Sequence, residues 1–397
     1  MAQLPAGAFE SQFYKMLNAS LMSEFGYGNV RSFFEREFLN YFPDAKWREL
    51  FDVAEENRSG KYTQVIGKNN RPVMASYVAF DADGHLISRK GFEVSSKDMP
   101  VSKLAMNFNE QSVENSEYLQ MNGGRILTGP IANNFLVDST NLLAGIHTLR
   151  SYTGLQIEST GKYVSTKKNN GGGAEGLEYN FIGDYEASNM KGAGGYGARG
   201  KKVAWSDESA SPIGDLMDMV KFARDNGFIV GMFRMNENTY NQLIEHPNTK
   251  QQVAAWRTQG MILKENMADY IITDDVMQAY IKSLRLPPIS VENWTAFHQC
   301  LDPETQKMME KPLTAFADNM VVLRPAGKIG TIQWKRVTNL FSTVDNPLYY
   351  AENGLVAIQQ VVESKQRFMQ FTAESHSLPV PDNINNFLYL KTNEADS

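Results

Sequence analysis

Residues 161–247 have the sequence GKYVSTKKNNGGGAEGLEYNFIGDYEASNMKGAGGYGARGKKVAWSDESASPIGDLMDMVKFARDNGFIVGMFRMNENTYNQLIEHP, and they contain the clearest succession of predicted elements in the chain. β-branched and aromatic residues in short runs, separated by polar or glycine-rich loops, are typical of strands. The stretch therefore predicts, in order, strands over Lys162–Thr166 and Leu177–Phe181, a helix from Ser211, a strand over Phe228–Phe233 and a helix over Asn236–His246.

The two helices of this stretch have clear starting signals. Ser211 can cap the first helix, Pro212 suits its first position, and Asp215 in the first turn favours the helix dipole. The run Phe228–Phe233 is too apolar for a strand with one solvated face, so a sheet covered on both sides is expected. Together with the further strands predicted at Met261–Leu263, Tyr270–Ile272 and Met320–Leu323, this indicates a separate α/β unit.

A long helix is predicted over residues 131–158. Its apolar residues recur every three or four positions, or at a multiple of that spacing, and so form one stripe; they are Ile131, Phe135, Leu142, Ile146, Leu149, Thr153 and Ile157. Pro130 suits the first helical position. A continuous helix of this length spans about 42 Å at roughly 1.5 Å per residue. A single stripe on so long a rod favours a spine that lies against a sheet.

Residues 73–98 predict a long hairpin. Val73–Phe80 alternates between faces, Asp83-Gly84 supplies the turn, and His85–Lys90 with Phe92 and Val94 forms the returning strand. A two-stranded ribbon alone is marginal in water, so a sheet of its own chain or a partner must support it.

The two ends of the chain differ in character. An arm is predicted for residues 1–60, because the segment with the aromatic and charged patch around Phe33 and Phe34 can bury little apolar surface within itself. The last sixty residues contain strand-like runs at Phe368–Phe371, Leu378–Pro381 and Phe387–Leu390.

Composition restricts the class of protein. The 397 residues are 42% hydrophobic and 21% charged, which is typical of a folded chain with two or three subdomains. A net charge of −6 argues against a free-standing nucleic-acid binder. The single Cys300 excludes an intrachain disulfide and is expected to be a packing residue. No secretory signal or membrane span is predicted, so we expect synthesis in the cytoplasm.

Two glycine motifs resemble nucleotide-binding loops. Gly192–Gly197 fits G-x-G-x-x-G, and Gly195–Lys201 imitates a phosphate loop, although Lys202 stands where Ser or Thr should hold magnesium. Neither motif is followed by a predicted helix, so a flexible linker is the better interpretation. The five histidines are scattered, and no G-x-S-x-G elbow is present. We therefore predict no catalytic residues, no cofactor and no metal.

The order of these elements resembles the lambda-type major capsid protein family (capsid protein E) of tailed bacteriophages. The best local matches are Thr160–Tyr163, Trp205-Ser206-Asp207 with Pro212 and Asp215, Met320–Gly330 and Ser377–Val380. The likeness covers residues 73–390. It implies an α+β chain with the Hong Kong 97 phage capsid fold.

The resemblance also implies a domain organisation. The expected parts are an N-terminal arm (1–60), an E-loop hairpin (61–110), a peripheral domain with a spine helix and a long sheet (111–204), an axial α/β domain (205–343) and a return to the peripheral domain (344–397). The E-loop reaches over a neighbouring subunit, and the arm lies on another. The inter-subunit contacts expected on this basis are Tyr77, Phe80, His85, Arg89, Lys90, Phe92, Phe33 and Phe34.

The function implied by the resemblance is self-assembly into the icosahedral shell that encloses a double-stranded DNA genome. Hexamers and pentamers of the chain, a scaffolding protein, a portal and a decoration protein are its implied partners. The chain then resides in the virion, after assembly in the host cytoplasm. Lys90 and Lys97 are candidate donors for covalent linkage, but the family likeness favours non-covalent shells. Two alternatives are an encapsulin-like nanocompartment and a nucleotide-binding enzyme.

Overall fold

A computed structural model of the chain describes residues 12–37, 42, 44–67, 92–109, 129–170, 175–258, 270–301, 308–338, 347–363, 368–382 and 384–396. The helices of these residues are α1 (Gln12–Phe25), α2 (Val30–Glu37), α3 (Trp47–Leu50), α4 (Gly129–Thr160), α5 (Glu186–Asn189), α6 (Pro212–Asp225), α7 (Glu237–Glu245), α8 (Pro247–Thr258) and α9 (Asp274–Ser283).

The strands of the same residues are β1 (Phe51–Glu56), β2 (Lys61–Gly67), β3 (Phe92–Asp98), β4 (Val101–Asn109), β5 (Lys162–Val164), β6 (Glu178–Asn180), β7 (Met190–Ala193), β8 (Met232–Asn236), β9 (Ile289–Glu292), β10 (Thr295–Leu301), β11 (Met308–Thr314), β12 (Met320–Arg324), β13 (Gly330–Lys335), β14 (Leu348–Ala351), β15 (Val356–Glu363), β16 (Phe368–Pro381) and β17 (Leu388–Ala395). The fold class is α+β, as predicted.

The first unit is built on a six-stranded sheet. Its order is β1-β13-β16-β15-β14, and β4 pairs with the first part of β16, from His376 to Phe368. The helix α4 lies across this sheet and contacts β16 and β4. A largely apolar core fills the space between them.

The spine helix is confirmed, and its two internal glycines have a packing reason. A Cβ atom on Gly145 would lie 2.4 Å from Leu104 Cδ2, and one on Gly154 would lie 2.8 Å from Phe51 Cε2. Because both glycines lie where side chains of the sheet approach the helix most closely, they allow tight packing at some cost in helix propensity.

The second unit is built on a five-stranded sheet of order β7-β17-β12-β8-β9. All five residues of β12 are buried, and α6 to α9 supply most of the remaining apolar core. The helices predicted from Pro212 and from Asn236 to His246 are confirmed. Asn236 caps α7, since its Oδ1 accepts a hydrogen bond from the Thr239 N–H at 2.9 Å.

Of two strand predictions in this unit, one begins four residues too early and the other is wrong. Pairing with β12 and β9 begins only near Met232, so Phe228–Gly231 forms a loop in which Ile229 is 73% exposed. Tyr270–Ile272 has no regular secondary structure and no strand partner among the described residues, and Ile271 is 81% exposed. The predicted strand Met261–Leu263 lies outside the described residues.

The unit boundaries differ from those expected. The second sheet already begins with β7 at Met190, whereas β13, at Gly330–Lys335, belongs to the first sheet. Most of the segment expected to return to the first unit does so, since β14, β15 and β16 belong to the first sheet, but the last strand, Leu388–Ala395, pairs with β12 and β7 of the second sheet. Within the expected arm, Phe51–Glu56 is an edge strand of the first sheet.

None of the helices described here is long and apolar enough to cross a membrane.

Candidate functional site: assembly surfaces and the core that positions them

The root of the predicted hairpin is a two-stranded ribbon of β2 and β3. Its strands pair antiparallel from Lys61↔Asp98 to Gly67↔Phe92. Tyr62 anchors the ribbon, since it is 1% exposed and its ring lies against Tyr179 and Phe181. The root of the ribbon is therefore firmly anchored to the first unit.

A side chain of the sheet holds this root in register. The Gln333 amide donates a hydrogen bond to the Thr63 carbonyl at 2.7 Å, and its Oε1 accepts one from the Thr63 N–H at 2.8 Å. The amide thus replaces the neighbouring strand that β2 lacks among the described residues.

The structure describes only some of the residues that were predicted to contact neighbouring subunits. Tyr77, Phe80, His85, Arg89 and Lys90 lie outside the described residues. The backbone of Phe92 pairs with Gly67 at the far end of the described ribbon, and its side chain also lies outside the described set.

Phe33 and Phe34 require a correction. Both are fully buried in their own chain, with ring centroids 5.5 and 5.8 Å from that of Phe135, and Phe34 also stacks on Tyr349 at 5.6 Å. The spine helix and the edge strand β14 thus bury the apolar surface of α2, which was expected to contact a neighbouring subunit. An arm contact must use other residues.

A second ribbon was missed. Strands β10 and β11 pair from Thr295↔Thr314 to Leu301↔Met308 and have no third strand among the described residues. Phe297 on this ribbon is 66% exposed. Thr295–Leu301 has no strict alternation of polar and apolar residues, and seven residues of mixed polarity do not separate a ribbon from a loop, so the sequence offered no clear signal.

The glycine-rich stretch is held by carboxylates, so the flexible-linker interpretation is wrong. The Gly194 N–H donates to Asp215 Oδ1 at 2.9 Å, and the N–H groups of Arg199 and Gly200 donate to Asp218 Oδ2 at 2.7 and 2.9 Å. A Cβ on Gly200 would lie 1.8 Å from Asp215 Oδ1. The backbone donors that a phosphate would need are therefore occupied by the protein's own carboxylates.

Asp215 is the centre of this arrangement. Its Oδ2 accepts a 2.7 Å hydrogen bond from Trp205 Nε1, and its side chain is almost fully buried. Burial raises the pKa of the Asp215 carboxyl to about 6, although the hydrogen bonds from Trp205 and Gly194 oppose the rise. The Trp-Ser-Asp motif and the glycine run thus form one structural feature.

A buried ion-pair network joins the two units. Glu158, near the end of α4, is fully buried, and its Oε1 accepts hydrogen bonds from Arg324 Nε at 2.6 Å and Arg234 Nε at 3.1 Å. Arg234 also donates to Glu292 at 2.7 Å, and Lys46 lies 3.1 Å from Glu292. Burial lowers the pKa of Arg234, but Glu158 and Glu292 outweigh it and raise the pKa overall. The network fixes the second sheet to the spine helix.

A second buried cluster ties the N-terminal segment to the spine helix. Trp47 Nε1 donates to His147 Nδ1 at 2.9 Å, so the His147 proton lies on Nε2, which is 2.8 Å from Glu352 Oε1. Arg48 and Arg150 also face Glu352, at 3.3 and 3.7 Å. Burial lowers the pKa of His147, in agreement with a neutral ring. His147 is thus a packing residue, as predicted.

The described residues contain no group of three or more His, Cys, Asp or Glu side chains arranged to hold a metal ion.

No protein family profile and no curated protein matches the sequence. Among solved structures, the chain is similar to a protein assigned as the capsid protein of an Escherichia coli prophage (14% identity, 89% of this chain and 96% of that one, TM-score 0.43). It is also similar to the capsid of cyanophage A-1(L) (10%, 88% and 92%, TM-score 0.45) and to an encapsulin of Synechococcus elongatus (8%, 88% and 88%, TM-score 0.38).

Proposed function

We propose that the chain is the major capsid protein of a tailed phage, and that its copies assemble into the icosahedral head that encloses double-stranded DNA. The observation that carries this proposal is the ribbon β2–β3. It is anchored at its root by Tyr62 but has no third strand among the described residues. Such a ribbon is marginal on its own, so a neighbouring copy is its natural support.

Rigidity within each copy supports the same conclusion. A shell subunit must present several surfaces in fixed relative positions, and the network around Glu158 joins the two sheets that would carry them. Each contact between copies can then be modest, because every copy makes several at once. A net charge of −6 is compatible with an inner face that touches DNA at few places.

The proposed partners are further copies in hexamers and pentamers, a scaffolding protein, a portal, a decoration protein and the packaged DNA. The proposed location is the virion, with assembly in the host cytoplasm. The proposed role involves no catalysis.

The test is assembly of the purified full-length chain, with and without a supplied scaffold, followed by light scattering and electron microscopy. Large shells that package DNA agree with the proposal. Small shells that enclose an enzyme cargo would show the encapsulin-like alternative instead, and a protein that stays monomeric at high concentration under both conditions would refute shell formation.

A further inference from the structure

An open cleft of about 570 Å³ lies in the second unit, between the C-terminal ends of α6 and α9. Apolar residues form much of its wall, among them Val220, Phe228 and Leu286, and Ile229 at its side is 73% exposed. The charged residues that line it are Arg224 and Arg285, and within the described part of the chain neither forms an ion pair. We call this surface the basic cleft.

The surroundings of the basic cleft strengthen its positive potential. Lys221 and Lys282 are exposed on the same two helix ends, where Asp225, next to Arg224, is an exposed acidic residue. Arg285 has a φ of 57°, in the left-handed region that costs a non-glycine residue free energy. The residue at this position, on the wall of the cleft, has a long cationic side chain.

A complementary surface lies at the opposite end of α9. Ile271, just before the helix, is 81% exposed, and Asp274 and Asp275 occupy the first turn. We call these three residues the acidic knob. The helix has ten residues, so the two surfaces are separated by about 15 Å along its axis. The helix dipole accounts for the sign of the charges at each end. The dipole of α6 accounts in the same way for Arg224, which lies in its last turn, but neither dipole accounts for the two exposed isoleucines, Ile229 and Ile271.

We infer that the acidic knob of one copy docks in the basic cleft of a second copy. Ile271 then covers the apolar wall beside Ile229, and the two aspartates face Arg224 and Arg285. Because the two surfaces lie at opposite ends of one helix, the contact is head-to-tail. Repetition of such a contact gives either a closed ring or an open filament, and we infer the closed ring. The inference rests on the proposed function in one respect: the ring is the centre of a capsomer.

Charge reversal tests this contact. Arg224→Glu with Arg285→Glu, or Asp274→Lys with Asp275→Lys, should raise the concentration needed for assembly by at least about tenfold, since like charges then face each other. All four changes in one chain should restore most of the loss. Lys167→Glu with Lys168→Glu, on the exposed loop after β5, carries the same charge change as the first pair and should assemble normally. The inference fails if either reversed pair assembles like the wild type, or if the fourfold variant is no better than the pairs.

Cysteine cross-linking separates this inference from the proposed function. In a Cys300→Ser background, Ile229→Cys with Ile271→Cys should give an oxidised ladder of oligomers on a non-reducing gel, whereas each single cysteine should give dimers at most. Shells without a ladder would refute the contact and leave the shell function intact. A ladder without shells would support the contact and count against the shell function.

Discussion

Replacing Glu158 with glutamine should weaken the chain by removing the charge at the centre of the buried network. The substitution keeps the shape of the side chain but leaves Arg324 and Arg234 without their shared carboxylate. Removal of one partner from a buried ion pair typically costs about 3–5 kcal/mol. Two features place the cost expected for Glu158→Gln near the lower end of this range. Arg324 keeps the carbonyl oxygens of Pro325 and Gly327 at 2.8 Å, and Arg234 keeps Glu292.

A loss of about 3 kcal/mol should be measurable by thermal unfolding. With an unfolding entropy of about 2.1 cal/mol/K per residue, a 397-residue chain that unfolds as one unit should lose about 4 °C in its melting midpoint. Urea denaturation followed by tryptophan fluorescence gives the free energy independently. The matched control is the exposed pair of Lys328 and Asp52, where Lys328→Gln should cost less than about 1 kcal/mol.

The charges of this network should also be energetically coupled. Arg324→Met should cost less in the Glu158→Gln background than in the wild type, because the arginine is then already uncompensated. A Glu158→Gln loss below about 1 kcal/mol, or additive losses in this double variant, would show that the network contributes little to joining the two units.

Three further predictions concern pH, the hairpin and covalent linkage. The pKa of Asp215 is about 6 against an ordinary 3.8, so the folded state favours its protonated form. The stability that this protonation contributes is complete below the ordinary pKa and declines as pH rises through about 6. In urea titrations, the stability difference between wild type and Asp215→Asn should therefore change by about 2–3 kcal/mol between about pH 4 and pH 7. A constant difference would contradict the buried carboxyl. An Asn-Gly turn in place of residues 68–91 joins the cross-strand partners Gly67 and Phe92. The shortened chain should keep nearly the same far-ultraviolet circular dichroism and melting temperature, yet form no stable shells in electron micrographs. Normal shells would show that the hairpin serves only its own subunit. Boiled, reduced shells should run as one band near 44.6 kDa, whereas a ladder that survives denaturant would make Lys90 or Lys97 a reactive residue.

Features with a local cause were predictable from the sequence. The stripe of apolar residues in α4, the cap at Asn236 and the apolar run of β12 all lie within one element, and the structure contains each of them. Features that depend on a distant partner were not. The apolar run at Phe228 indicated a strand, but β12 and β9 offer partners only from about Met232 onward.

Local patterns were enough to predict the α+β class, the long spine helix and the α/β character of the second unit, whereas residues 73–91 of the predicted hairpin lie outside the described residues. Only the tertiary structure decided that β17 joins the second sheet, that Phe33 and Phe34 belong to their own core, and that Asp215 holds the glycine run. Helix periodicity and caps are set by residues three or four positions apart. The partners of β17 and of Glu158 are instead set by hydrogen bonding and desolvation between distant segments, which for Glu158 and Arg324 are 166 residues apart.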